Sequence, residues 1–212
     1  MSARSLLAAS VTLGLSLASS AAYAHKDSST DTPFVDAQVG FAYANVLAFS
    51  NDALLPGVNE SREWGSHFGG TLGLRFGPVA FGAHSDFSRF TSYDIGTLGG
   101  MVELRLPIPV VQPYARLGFG YAWLGDLRVS SSLAHCNPTS TSTACPSVRG
   151  WTLSGGAGVD FWLGRYFTLG VGLDVYVLNL TRSASPTTVN FEQTGDSIGV
   201  QLAGSAQLGF HL

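Results

Sequence analysis

The chain has 212 residues, of which 45% are hydrophobic and only 12% are charged, whereas soluble proteins carry roughly 25% charged residues. This balance disfavours a water-soluble domain, and the aromatic content of 11% argues against disorder. A net charge of −3 gives no reason to expect a nucleic-acid partner. A helical membrane protein needs runs of about 20 mostly apolar residues, and only the N-terminus approaches one.

The N-terminal segment has the three parts of a secretory signal peptide. Arg4 supplies a positive charge, residues 6–17 form a short apolar run, and Ala22-Tyr23-Ala24 provides a small-residue cleavage site. The pattern predicts a signal peptide over 1–24. A single transmembrane anchor is the weaker alternative, because the apolar run is too short to span a bilayer and polar residues follow it.

Most of the remaining chain alternates between apolar residues and small or polar ones. A period of two is typical of strands with one apolar face. In the clearest stretch, Leu169, Val171 and Leu173 alternate with Gly170 and Gly172. Eight segments follow this pattern: 35–43, 67–76, 79–87, 98–106, 114–123, 151–163, 167–177 and 198–212. We therefore predict an all-β fold, an eight-stranded antiparallel up-and-down barrel.

The composition of the two faces indicates which solvent surrounds this barrel. A lipocalin-like barrel in water would need a charged outer face, but the less apolar face is mostly Gly, Ser, Thr and Gln. The inverted arrangement suits hydrocarbon outside and a narrow interior, with every backbone group paired by closure. The sequence therefore predicts a transmembrane barrel.

The connections and the aromatic residues support this arrangement. Long connections over 45–63, 88–94, 124–150 and 179–195 alternate with short ones at 77–78, 107–113 and 164–165, as in transmembrane barrels. Aromatic residues then fall near both ends of the strands, where interfacial belts form. The members on the loop side are Tyr43, Trp64, Phe68, Phe87, Tyr121, Trp123 and Trp151, and on the turn side Phe76, Phe81, Phe161, Phe167 and Phe210.

With its signal peptide, eight alternating strands and apolar final strand, the chain resembles the small eight-stranded outer-membrane barrels, the OmpA transmembrane domain and OmpX-like family. The resemblance implies a short N-terminal extension over 25–33 and a barrel domain over 34–212. It also implies the outer membrane of a Gram-negative bacterium, with both termini in the periplasm. Its implied partners are outer-membrane lipids, lipopolysaccharide and the barrel-assembly machinery. In the family that machinery reads the final strand, here through Leu208, Phe210 and Leu212.

Charged residues on the inward face are candidates for an interior network. They are Asp36, Arg75, His84, Asp86, Glu103, Arg105, Arg116, Asp160 and Asp174. Buried charges must be paired or hydrated, and an eight-stranded barrel has room only for its own side chains. We expect a static network that fills the barrel. The alternative is a narrow gated ion path in which the arginines exchange partners among Glu103, Asp86 and Asp160.

The cysteines and histidines favour a disulfide over a metal site, and no cofactor is expected. Cys136 and Cys145 lie in one Ser/Thr-rich segment, and an exported chain meets an oxidising compartment, so we expect a disulfide between them. A metal site at this pair is the alternative. His67, His84, His135 and His211 lie on different strands or loops, with no pair at ligand spacing.

An enzyme that modifies lipid A is a further alternative, because His84-Ser85-Asp86 places three catalytic residue types together. Alternation sends Ser85 to the outer face and its neighbours inward, so the serine lacks a base. We therefore expect no enzymatic activity. Function is expected in the loops, as a structural, envelope-integrity or adhesion-like role with an extracellular receptor or surface ligand that no motif identifies. A small pore for ions or solutes is the first alternative.

Overall fold

The chain folds into a closed barrel of eight antiparallel strands. The structure, a computed structural model, describes residues 32–46, 62–125, 147–183 and 194–212. Neighbouring strands pair in chain order, and β1 also pairs with β8. The strands are β1 (Thr32–Asn45), β2 (Arg62–Phe76), β3 (Val79–Arg89), β4 (Asp94–Arg105), β5 (Val111–Gly125), β6 (Val148–Leu163), β7 (Phe167–Arg182) and β8 (Gly195–His211). The predicted eight-stranded barrel is confirmed.

Burial along each strand follows the alternation of the sequence. On β7, Leu169, Val171 and Leu173 are exposed, whereas Thr168 and Asp174 are buried. The same holds around the sheet, so that the outer surface between the two ends is largely apolar. Such a surface suits hydrocarbon, and the closed sheet leaves no unpaired edge in it. In the described ranges, no helix is long and apolar enough to cross a membrane.

The two ends of the barrel differ in their connections. At the turn side, Gly77 and Gly164 adopt φ of 59° and 86°, a left-handed conformation that glycine takes at little cost. β1 begins and β8 ends at this side. At the opposite, loop side, the segments 47–61, 126–146 and 184–193 lie outside the described residues. The two ends are therefore called the turn side and the loop side below.

Several predicted boundaries move by a few residues. β1 begins at Thr32, before the predicted strand start at 35 and the predicted domain start at 34, because Thr32 and Pro33 already pair with β2. The long connection predicted over 88–94 is wrong, since Arg89 pairs with Asp94 and only 90–93 remain between the strands. The predicted signal peptide 1–24, the extension up to residue 31, and the cysteine pair 136 and 145 lie outside the described residues.

Candidate functional site

The barrel interior is the candidate functional site, because it gathers most of the charged side chains of the strands. The structure places all nine predicted interior residues there, one histidine and eight acidic or arginine side chains. They are partly or fully buried and occupy two levels. The set is Asp36, Arg75, His84, Asp86, Glu103, Arg105, Arg116, Asp160 and Asp174. We name the levels the turn-side ion cluster and the mid-barrel polar cluster.

The turn-side ion cluster is centred on Arg105 of β4. Its Nη1 donates to Asp160 Oδ2 at 2.6 Å, and its Nε donates to Glu103. Nη2 lies 3.7 Å from Asp36 Oδ2, and the guanidinium lies 5.5 Å from the centre of the Tyr114 ring. One buried cation thus joins carboxylates from β1, β4 and β6, which links opposite walls of the barrel.

Polar and aromatic side chains pack below Arg105 at the turn side. Arg75 donates from Nη1 to Gln112 Oε1 at 3.2 Å and from Nε to the Gly77 carbonyl at 3.0 Å. The rings of Trp162 and His211 lie 4.7 Å apart. All four side chains are at least nine-tenths buried. They fill the interior where the short turns close the wall.

The mid-barrel polar cluster contains the pair Arg116–Asp174. Arg116 Nε donates to Asp174 Oδ1 at 2.6 Å, and Nη2 donates to the other carboxylate oxygen. Such a two-bond pair is strong and fixes both side chains. Arg116 Nη2 also donates to Gln38 Oε1 at 3.1 Å, and Gln38 Nε2 donates to Asp86 Oδ1 at 2.5 Å. Gln38 therefore connects the ion pair to the next carboxylate.

Asp86 accepts further hydrogen bonds at the same level. Tyr176 Oη and Thr97 Oγ1 donate to its Oδ2 at 3.2 and 3.3 Å. The Nε2 atoms of His67 and His84 lie 3.9 and 3.7 Å from its carboxylate. A cavity of about 10 Å³ lies beside His84, which is close to the smallest space that holds one water molecule. The level is therefore packed, with room for little else.

A third level, the loop-side apolar cluster, covers the polar interior from the opposite end. Phe90 and Tyr93, from the turn between β3 and β4, fold into the barrel with ring centres 5.1 Å apart. Glu63 Oε2 accepts from the Ser92 amide at 2.9 Å and holds this turn. Burial raises the pKa of Tyr93 above its ordinary value, so the phenol stays neutral. The remaining members are Ala42, Ala44, Val46, Ile95, Ala122, Leu124, Val148, Tyr176, Leu178, Leu180 and Ala203.

Several residues of the site did not stand out in the sequence. Gln38, His67 and Tyr176 face inward by alternation, but uncharged polar side chains carry no mark that selects them from their neighbours. Phe90 and Tyr93 fell within a predicted long connection. The segment did carry a signal for burial, because its two aromatic residues flank a short polar pair and are costly to leave in water.

The residues considered for chemistry remain apart. Ser85 is exposed on the outer face, while His84 and Asp86 are buried. His211 lies near Thr168, with Nε2 3.2 Å from Oγ1, at the turn-side end of β8, whereas His67 and His84 lie beside Asp86. Over the described ranges, no group of three or more His, Cys, Asp or Glu side chains could hold a metal ion.

Comparison with solved structures identifies the fold. No family model matches the chain, and no curated protein matches it. Neisserial surface protein A aligns with a TM-score of 0.56 at 13% identity, over 84% of this chain and 96% of that one. The outer-membrane protein AlkL, solved in lipid bilayers, aligns with a TM-score of 0.53 at 10% identity, over 89% and 94%. The chain therefore has the fold of the small outer-membrane barrels, as predicted.

Proposed function

Starting from the fold of a small outer-membrane barrel, we propose that the chain is an integral outer-membrane protein with a closed interior. In this proposal the barrel is a rigid scaffold, and its loops provide a structural, envelope-integrity or surface-interaction role. The observation that carries the proposal is the filled interior. Two buried polar levels lie beneath an apolar one, and the cavity beside His84 in the mid-barrel polar cluster measures only about 10 Å³.

The order of the levels opposes ion flow. On its way from the loop side to the mid-barrel polar cluster, an ion must pass the apolar cluster around Phe90 and Tyr93, and apolar constrictions oppose ion flow by dewetting. It then meets Arg116 and Arg105, each held by carboxylates from other strands. Opening a path would break several charge-assisted hydrogen bonds at once, and each is stronger than a neutral one.

Conductance in planar bilayers tests the closed interior. We expect the purified wild-type barrel to show no reproducible unitary conductance, with a general porin inserted by the same procedure as the positive control. The Arg116→Ala variant should either stay silent or show irregular leakage. A steady unitary conductance in the wild type that Arg116→Ala abolishes would establish the alternative, a small gated pore.

We also infer that the chain does not modify lipid A. Support comes from Ser85, which is exposed on the outer face with no base beside it on that face of the strand, since His84 and Asp86 are buried. Lipid A from cells with and without the protein should give identical mass spectra. A lost or gained acyl chain that depends on the protein would contradict this inference.

The final strand supports insertion by the barrel-assembly machinery. Leu208 and Phe210 are exposed on the outer face of β8, and Leu212, directly after that strand, is exposed too, so another protein can contact all three. We expect Phe210→Ala to slow the appearance of the folded, heat-modifiable form in pulse-chase experiments. Phe167→Ala is the matched control, because its ring packs 5.2 Å from that of Phe210 on the same face. Equal delays in both variants would show a loss of packing and not a lost signal.

A further inference from the structure

The outer face of the barrel is not uniformly covered. A recess of about 370 Å³ opens on it toward the loop side, within the range of about 300–1,000 Å³ that is usual for ligand pockets. Its exposed walls are apolar, with Trp64 at the edge nearer the loops. The lining residues are Phe41, Tyr43, Trp64, Leu173, Leu202 and Gly204.

The recess exists because Gly204 has no side chain. Gly204 pairs with Phe41 on β1 and with Leu173 on β7, so large side chains stand on both sides of it. A Cβ atom at Gly204 would meet no heavy atom within 4 Å. The wall is therefore one side chain short at this point, and the backbone forms the floor of the recess.

Exposed arginines follow a repeated pattern at the loop side. On three strands an arginine lies two residues beyond an exposed aromatic residue, on the same face and nearer the loops. Two residues of a strand span about 7 Å, so each arginine lies about that far nearer the loops than an exposed aromatic residue, the residue type enriched at the headgroup level. The pairs are Trp64 with Arg62, Phe87 with Arg89 and Trp151 with Arg149.

We propose that the Gly204 recess, together with Arg62, is a binding site for lipid A, with one acyl chain in the recess and a lipid phosphate at Arg62. The inference deepens the proposed function and rests on it, because the loop side faces the outer leaflet only in that orientation. Arginine suits phosphate, which it binds through two parallel hydrogen bonds.

Charge and position together favour this lipid over an uncharged one. The apolar recess accounts for an acyl chain, and Arg62 is two residues, about 7 Å of strand, nearer the loops than Trp64, which lines the recess. Arg89 and Arg149 continue the positive charge along the loop side, where Asp196 is the exposed acid in the described strand ends. A lipid with several phosphates and several chains matches such a surface better than a lipid with one phosphate and two chains.

Native mass spectrometry of the whole barrel, released from detergent micelles, tests the site. Lipid A with two phosphates, its dephosphorylated form and phosphatidylglycerol are titrated separately. Arg62→Gln removes the charge and Gly204→Leu fills the recess; Leu173→Trp fills it from β7 if Gly204→Leu does not fold. The matched controls are Arg165→Gln, an exposed turn-side arginine beside Tyr166, and Gly100→Leu, an outward glycine whose Cβ would meet its nearest atom at 3.9 Å. Heat-modifiable migration confirms folding of every variant.

We expect diphosphorylated lipid A to bind the wild type and both controls equally. Arg62→Gln and the recess-filling variants should bind about tenfold more weakly or worse, as for a lost hydrogen bond to a charged group. Equal binding by all folded variants, or equal binding of phosphatidylglycerol, would overturn the proposal. Either result would leave the proposal of a closed interior standing, since the conductance measurement tests that proposal independently.

Discussion

At the scale of single residues, the interior depends on pairs that cross the barrel. Arg116 lies directly opposite Glu103 in the register of β4 and β5. It nevertheless binds Asp174 of β7, while Glu103 binds Arg105. Alternation identified all of these side chains as inward from the sequence alone. It could not identify partners, because a long side chain in a narrow cylinder reaches several strands, and its choice depends on which other charges are already paired.

The Arg116–Asp174 pair should contribute strongly when only one partner is removed. Asp174→Ala leaves an unpaired buried cation, which costs about 3–5 kcal/mol. Replacing both, as in Arg116→Met with Asp174→Leu, should recover most of that free energy of unfolding. Urea unfolding in micelles measures it, with Arg165→Gln as an exposed control. If the single and the double variant were destabilised equally, the unpaired charge would not be the cause of the lost free energy of unfolding.

Glycine at 156 makes room for the same ion pair. A Cβ atom there would collide with Asp174 Oδ1, so Gly156→Ala must displace the carboxylate from Arg116. We expect a loss of about 1–3 kcal/mol in unfolding free energy, as for overpacked interiors. Gly100→Ala, whose Cβ would point outward and meet its nearest atom at 3.9 Å, an ordinary contact, should change the unfolding free energy little. Similar losses in the two variants would indicate a general effect of glycine in strands.

At the scale of elements, the strands were predictable and one connection was not. Each strand spans 11 residues or more, so its alternation remains recognisable despite local exceptions such as the four buried residues that open β4. The turn at 90–93 is too short to have a period. Its polar Thr91 and Ser92 suggested an exposed loop, but Phe90 and Tyr93 are the side chains that decide its position, since burying two rings outweighs the polarity of the turn.

The β3–β4 turn should act as an anchored cover of the interior. Tyr93→Ala removes a fully buried ring and should cost about 3–5 kcal/mol, the usual loss for a large aromatic residue in a core. Hydrogen exchange should then accelerate at 90–93 and at the adjoining ends of β3 and β4. Phe87→Ala is the control, since its ring is exposed on the outer face. Unchanged exchange in Tyr93→Ala would show that the turn is held by other contacts.

At the scale of the whole molecule, the low charge and high apolar content of the chain are explained by where each kind of side chain lies. Apolar side chains cover the outside, and charges lie within the two polar levels and at the loop side. The overall architecture was predictable because lipid outside and a narrow interior impose opposite demands on alternate residues. The apolar cluster at the loop side was not predictable, because apolar and polar inward residues follow the same alternation along a strand.

Quenching of tryptophan fluorescence by brominated lipids tests this arrangement most directly. Trp151 is exposed on the outer face and Trp162 is buried inside the barrel, so each can be kept as the single tryptophan after the others are changed to Phe. In bilayers of brominated phospholipid, we predict strong quenching of Trp151 and weak quenching of Trp162. Equal quenching of the two, or stronger quenching of Trp162, would contradict the barrel with its apolar face toward lipid.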